Sequence, residues 1–269
     1  MKRRTDFGKI PVDEFSRFIS IVRRLRRECP WDRKQTHRSL RETLIEETYE
    51  VIDALDRSNL PALKQELGDL LLHIAMQATI AEQAQEFSFA DVIETISAKL
   101  VRRHPHVFGK KRLRDAAEVV RSWEVLKMKE GRRSVLEGIP AGLPSLQRAY
   151  RVQKRASLSG FDWKRPAQVW TKLEEELREL RQATRVGNTR RREQEFGDFL
   201  FSVVNYSRFL RVNPEDALRG TVDRFVRRFQ YIERSLARRG RDIHKATLPE
   251  MDALWEEAKA KHKRRKTSR

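Results

Sequence analysis

The 269-residue sequence predicts an all-α protein of two tandem, repeated helical-bundle domains with no significant sheet. Three observations lead there. Charged residues make up 36% of the chain and aromatics 8%, a balance that suits amphipathic helices with solvated outer faces. Glycine and proline are sparse, and no stretch alternates with period two, so strands are not required. The pattern of acidic and basic motifs occurs twice, in the same order.

In chain order, apolar periodicity predicts helices over 12–28, 38–57, 60–84, 89–103 and 116–130. The stretch GRRSVLEGIPAGLPS at 131–145 is rich in glycine and proline and reads as a linker. Helices over 145–158, 166–186, 189–211, 214–239 and 248–262 follow. The expected organisation is an N-terminal domain over 1–130, the linker, and a C-terminal domain over 146–269 that ends in a basic tail. That tail is a run of like charge, expected to be unstructured beyond Lys259.

The second predicted helix contains LIEETYEV, with Glu46, Glu47 and Glu50 crowded on one side. Each such pair repels by about 0.2–0.5 kcal/mol on a helix, which calls for compensation. The third helix carries Glu66-x-x-Asp69. In the second half the pattern returns as Glu175-Glu176-x-x-Glu179 followed by Glu195-x-x-Asp198, and the spacing from Glu46 to Glu66 equals that from Glu175 to Glu195. Downstream, KLVRRH at 99–104 is answered by RFVRRF at 224–229, and Trp123-x-x-x-Lys127 by Trp255-x-x-x-Lys259.

Glu-x-x-Asp puts two carboxylates one turn apart on one helical face. The apolar residues around it, Leu67, Leu70, Leu71 and Ile74, then Phe196, Phe199, Leu200 and Val203, predict that these helices pack into a bundle. An antiparallel pair with the preceding helix would bring four or five carboxylates together. Such an all-oxygen set suits a hard cation, Mg²⁺ first and Mn²⁺ second. Lys99 with Arg103, and Arg224 with Arg228, lie four apart and can receive phosphates. Trp123 and Lys127, or Trp255 and Lys259, offer a ring for a base and an ammonium for a phosphate. Together these features describe a nucleotide site with reaction at phosphorus. The chain has no GxxxxGK[ST] and no GxGxxG after a strand, which argues against an ATP motor or a kinase.

These segments resemble the two-domain MazG-type nucleoside triphosphate pyrophosphohydrolases. The likeness rests on CPWDRKQTHRSL, EETYEV, ELGDLL and KLVRRHPHVFG in the first half. In the second it rests on GFDW, KLEEELRE, EFGDFLFSVVN, RFVRRFQYIE and MDALWEEAK. The resemblance implies an all-α bundle, a homodimer, and Mg²⁺-dependent hydrolysis of nucleoside triphosphates to monophosphate and diphosphate in nucleotide-pool house-cleaning. It implies that the second copy is the hydrolytic one. There Glu175, Glu176 and Glu179 would be catalytic, Glu176, Glu179, Glu195 and Asp198 would hold metal, and Lys172, Arg224, Arg228, Trp255 and Lys259 would hold the nucleotide. Arg224 stands where the family more usually has lysine, which changes the geometry of its phosphate contact. The first copy keeps Glu46, Glu47, Glu50, Glu66, Asp69, Lys99 and Arg103.

A net charge of +19 and a pI near 10.5 imply attraction to polyanions. The alternative reading is therefore a basic helical nucleic-acid-binding or stress-regulatory module with vestigial acidic sites, although the enzyme reading does not require nucleic acid. The single cysteine, Cys29, excludes an intrachain disulfide and fits a reducing cytoplasm. The start lacks the apolar core of a signal peptide, and the most apolar run, 70–81, is too short to span a bilayer. His37 and His73 read as satisfied structural residues, and His104-Pro105-His106 as a loop that caps the basic helix.

Overall fold

The computed structural model describes residues 11–267. Among these residues every regular element is helical. They are α1 (Val12–Glu28), α2 (Arg41–Asp56), α3 (Leu60–Gln83), α4 (Phe89–Arg103), α5 (Pro105–Phe108), α6 (Ala116–Lys129), α7 (Ser145–Leu158), α8 (Pro166–Val186), α9 (Thr189–Phe209), α10 (Pro214–Arg238) and α11 (Leu248–Thr267). The chain divides into two units, one through Arg114 and one from Asp115.

Local sequence explains most boundaries. Asn59, Asn188 and Asn213 each cap the following helix by accepting from a backbone N–H, as does Asp115 for α6. Ser88 and Asp91 form a reciprocal capping box on α4. Gly187, at φ 80°, ends α8 in the left-handed conformation that glycine tolerates best.

In the first unit α2 and α3 form a hairpin, and α1 lies against α3. Val22, Leu40, Ala75, Met76 and Ile80 make its core, flanked by Phe18, Ile19, Leu72 and Phe89. Buried Arg26 donates to the Gln83 side chain at 2.8 Å and to the carbonyls of Gln35 and Asp32. In this way it pins the CPWDRKQ turn to the bundle.

In the second unit α8 and α9 form the corresponding hairpin, with α7 against α9 and α10 against α11. Ile232, Leu236 and Leu254 are buried with Met251 and Trp255 packed around them. Arg155 is buried like Arg26, 129 positions earlier, and donates to the carbonyls of Val135 and Glu137. Gln153 ties α7 to α9 through the Phe201 carbonyl at 2.8 Å.

Several expectations need correction. The unit boundary precedes α6 instead of falling in the 131–145 stretch, which is itself tied down by Arg155. The last helix continues to Thr267, so the tail is helical past Lys259. Buried Leu254 and Ala258 anchor its first turns, and a run rich in lysine, arginine and alanine propagates a helix once one is nucleated. Leu67, Leu71 and Ile74, with Phe196, Leu200 and Val203, are exposed in the single chain. The core-facing residues of α3 begin at His73. Among the described residues no helix is long and apolar enough to cross a membrane.

Candidate metal and phosphate sites

The α2–α3 connection is short, with Ser58 at φ 52°, so the C-terminal half of α2 faces the start of α3. This brings one carboxylate oxygen from each of Glu47, Glu66 and Asp69 within 4.8 Å of one another. They line a cleft of about 550 Å³ together with Glu50, Asp53 and Arg57. Arg57 is engaged by Asp53 at 3.0 Å. Glu46 points elsewhere: it is exposed and lines no part of the cleft.

Partial withdrawal from water, followed by repulsion from Asp69, Glu50 and Glu66, raises the Glu47 pKa above the usual carboxylate value. Glu66 is raised by the same desolvation, then by Glu50 and Asp69. Three convergent carboxylate oxygens form the donor set a hard divalent cation fits. His73, one turn beyond Asp69, is buried, and burial lowers its pKa. Its Nδ1 has no hydrogen-bond partner among the described residues, so it is not the satisfied histidine expected, whereas His37 does pair with Gln77.

The α8–α9 hairpin repeats the geometry, with Glu176, Glu179 and Glu195 within 4.8 Å. Asp198 does not join them and is exposed, although its counterpart Asp69 belongs to the first trio. Glu176 is buried, at 6% exposure. Lys172 lies between Glu175 at 2.7 Å and Glu176 at 2.8 Å, and these hydrogen bonds raise its pKa. Lys172 therefore sits among the carboxylates and not with the other cations expected to hold nucleotide. Arg191, which the sequence reading had not singled out, approaches Glu195 at 3.6 Å.

The remaining predicted residues of the second copy lie on α10 and α11. Arg224 and Arg228 line a groove of about 360 Å³ with Arg227, Tyr231, Arg234 and Lys261. The Arg228 guanidinium stacks over the Trp255 ring at 5.2 Å, and Phe225 meets the same ring at 5.2 Å. Trp255 is thus partly a core anchor, while Lys259 pairs with Glu256 at 2.8 Å. Arg227, Tyr231, Arg234 and Lys261 were missed by motif matching. The signal was present in the i, i+3, i+4, i+7 recurrence of Arg224, Arg227, Arg228 and Tyr231.

In the first copy Lys99 and Arg103 occupy the last turns of α4, in the unit that carries Glu47. Trp123 and Lys127 are on α6, which groups with the second unit, and Lys127 pairs with Glu124. The first-copy set is therefore divided between units.

Helical hairpins that each gather three carboxylates, one of them in a unit that also carries a cationic groove, define an all-α protein suited to binding a hard cation and phosphates. Residues 35–108 match the MazG nucleotide pyrophosphohydrolase domain. A nucleoside triphosphate pyrophosphohydrolase/pyrophosphatase MazG of Thermotoga maritima is 44% identical over 91% of this chain and 95% of its own length. A nucleoside triphosphate pyrophosphohydrolase of Escherichia coli K12 is 38% identical over 92% of this chain and 98% of its own. An uncharacterized protein YabN of Bacillus subtilis is 42% identical over 95% of this chain but 54% of its own. This chain belongs to the MazG nucleotide pyrophosphohydrolase family.

Proposed function

We propose that this protein hydrolyses nucleoside triphosphates to the monophosphate and diphosphate, with Mg²⁺ held by its carboxylate clusters and the second copy as the hydrolytic site. The observation that carries the assignment to the second copy is its composition. One unit holds the Glu176, Glu179 and Glu195 trio together with Arg224, Arg228, Trp255 and Lys259.

When bound, Mg²⁺ supplies charge neutralisation for phosphate oxygens and lowers the pKa of a coordinated water. The chain's own residues do the rest. Glu176, Glu179 and Glu195 would hold the cation, with exposed Asp198 a further candidate ligand. Lys172 holds the side chains of Glu175 and buried Glu176 in place. Arg224 and Arg228 balance the phosphate charge, and Trp255, packed against Arg228, offers its ring edge to the base. Water adds to the α-phosphorus while the α–β bridging bond breaks. The electron pair leaves on diphosphate, and the water proton passes to a carboxylate oxygen of Glu175 or Glu179.

The exposed apolar triplets Leu67, Leu71, Ile74 and Phe196, Leu200, Val203, placed alike beside each acidic site, support a homodimer that covers them. Sedimentation at twice the 31.9 kDa chain mass is the expected result. For the activity, each nucleoside triphosphate is incubated with protein and Mg²⁺ and the products are resolved. Nucleoside monophosphate and diphosphate are expected, whereas nucleoside diphosphate with orthophosphate, or no turnover, overturns the reading.

A further inference from the structure

Arg26 and Arg155 occupy matching places in the two copies but are used differently. Arg26 is engaged along its guanidinium: Nε donates to the Gln83 side chain and Nη1 to the carbonyls of Asp32 and Gln35. Arg155, equally buried, donates through Nη1 alone, to the carbonyls of Val135 and Glu137. Among the described residues its Nε and Nη2 have no protein acceptor. Arginine stays charged when buried, so donors left over on such a group call for an acceptor.

The surroundings are cationic. One turn earlier on α7 stands Arg151, at the position that buried Val22 fills in the first copy. In the turn over 131–138, Arg132 lies against Gly138, where an added Cβ would meet its Nη2 at 3.2 Å. The Nη1 of Arg132 is buried and has no hydrogen-bond partner among the described residues. Burial first, and then the charge of Arg132, push the Arg155 pKa down, and Arg151 adds to them. Glu124 alone opposes them, and it is already paired with Lys127.

We propose that Arg132, Arg151 and Arg155 form a site for a phosphate-type oxyanion, separate from the carboxylate clusters and from the α10 groove. None of the three belongs to either of those sets. A water molecule can accept from the same donors but leaves the repulsion among the guanidinium groups in place. A phosphate group carries a charge of about −1.5 to −2 at neutral pH and several oxygens that match the arginine fork. One such group can therefore accept from Arg155 and Arg132 together and offset their mutual repulsion. Inorganic phosphate, diphosphate and the phosphate of a nucleotide share this chemistry. The bound anion would tie the 131–138 turn to α7, which Gln153 fastens to α9, the helix that carries Glu195.

The test uses the full-length double variant Arg224→Gln, Arg228→Gln, which disables the α10 groove, in EDTA at constant ionic strength. Inorganic phosphate, diphosphate and a nucleoside monophosphate are titrated into it separately by calorimetry. A phosphate-type anion binds with one equivalent per chain, and the tightest of the three identifies the source. Adding Arg132→Gln weakens that binding by about tenfold or more, and Arg132→Lys, which keeps the charge without the fork, by less. Thermal melts separate a binding site from a structural brace. The anion raises the Tm of the double variant, and Arg132→Gln removes that rise without lowering the Tm in anion-free buffer. Absence of binding to the double variant overturns the proposal, as does binding that Arg132→Gln leaves unchanged. An equal fall in Tm with and without the anion overturns it too. Metal is absent throughout, so failure of the hydrolytic assignment leaves this proposal standing.

Discussion

One turn before Glu47 stands Thr43, whose hydroxyl bonds the Leu40 carbonyl at 3.3 Å. At the equivalent position before Glu176 stands Lys172, whose ammonium spans Glu175 and Glu176. Likewise Arg191, beside Glu195, replaces Ala62 of the first hairpin. Both hairpins bring three carboxylates within 4.8 Å, but in the second Lys172 and Arg191 reach members of the trio, whereas Arg57, which lines the first cleft, is engaged by Asp53. In the first, withdrawal from water and then mutual repulsion raise the pKa values of Glu47 and Glu66. The same backbone plan thus gathers two carboxylate clusters that could each hold a metal ion and that differ in the cations beside them.

The largest expected effect separates the copies by activity. Outer-shell partners of a metal alone are worth about 10–100-fold, so Glu195→Gln in the second cluster should cost about 100-fold or more in kcat/KM. Glu66→Gln in the first should change it by only about threefold or less. Steady-state assays of diphosphate release check the pair, and an equal loss in both variants would erase the functional distinction.

Transplanting the counter-ion sharpens the comparison. Thr43→Lys should let the first cluster neutralise itself and lower its Mn²⁺ affinity by about tenfold, read by the electron paramagnetic resonance signal of free Mn²⁺. In the reverse direction, Lys172→Met leaves buried Glu176 without its cation. The pair lies between an exposed bridge, about 0–1 kcal/mol, and a buried one, about 3–5 kcal/mol. A stability loss of about 1–2 kcal/mol is expected in denaturant titrations without metal, reduced when Mg²⁺ is added.

The smallest effect is on pH. Because Glu47 and Glu66 are raised in the folded state, metal-free protein holds their protons more tightly than the unfolded chain does. Their contribution to stability is present below the ordinary carboxylate pKa and is lost as pH rises through the elevated values. Glu47→Gln should flatten that dependence in thermal melts run in EDTA across the mildly acidic range. A steeper dependence in the variant would refute the electrostatic origin.

Much of this was legible in the sequence. Helix ends followed from caps such as Asn59, Ser88 and Asn213, and the acidic sites from identical spacing in two copies. What spacing conveys is the face of a helix, not its neighbour. Hence Lys172 was grouped with the nucleotide-holding cations although its partners are one turn away on its own helix. Asp198 shares a motif with Asp69 but turns outward, and Trp123 and Lys127 follow the packing of α6 into the second unit. The length of α10 past Arg228 follows from the apolar periodicity over 214–239.

Calorimetric titration of Mn²⁺ into wild type, Glu47→Gln and Glu176→Gln tests the inequality of the two clusters most directly. Two classes of site should appear in the wild type, with the tighter class lost in Glu47→Gln and retained in Glu176→Gln. A single affinity for both clusters, or loss of the tighter class in Glu176→Gln, would contradict it.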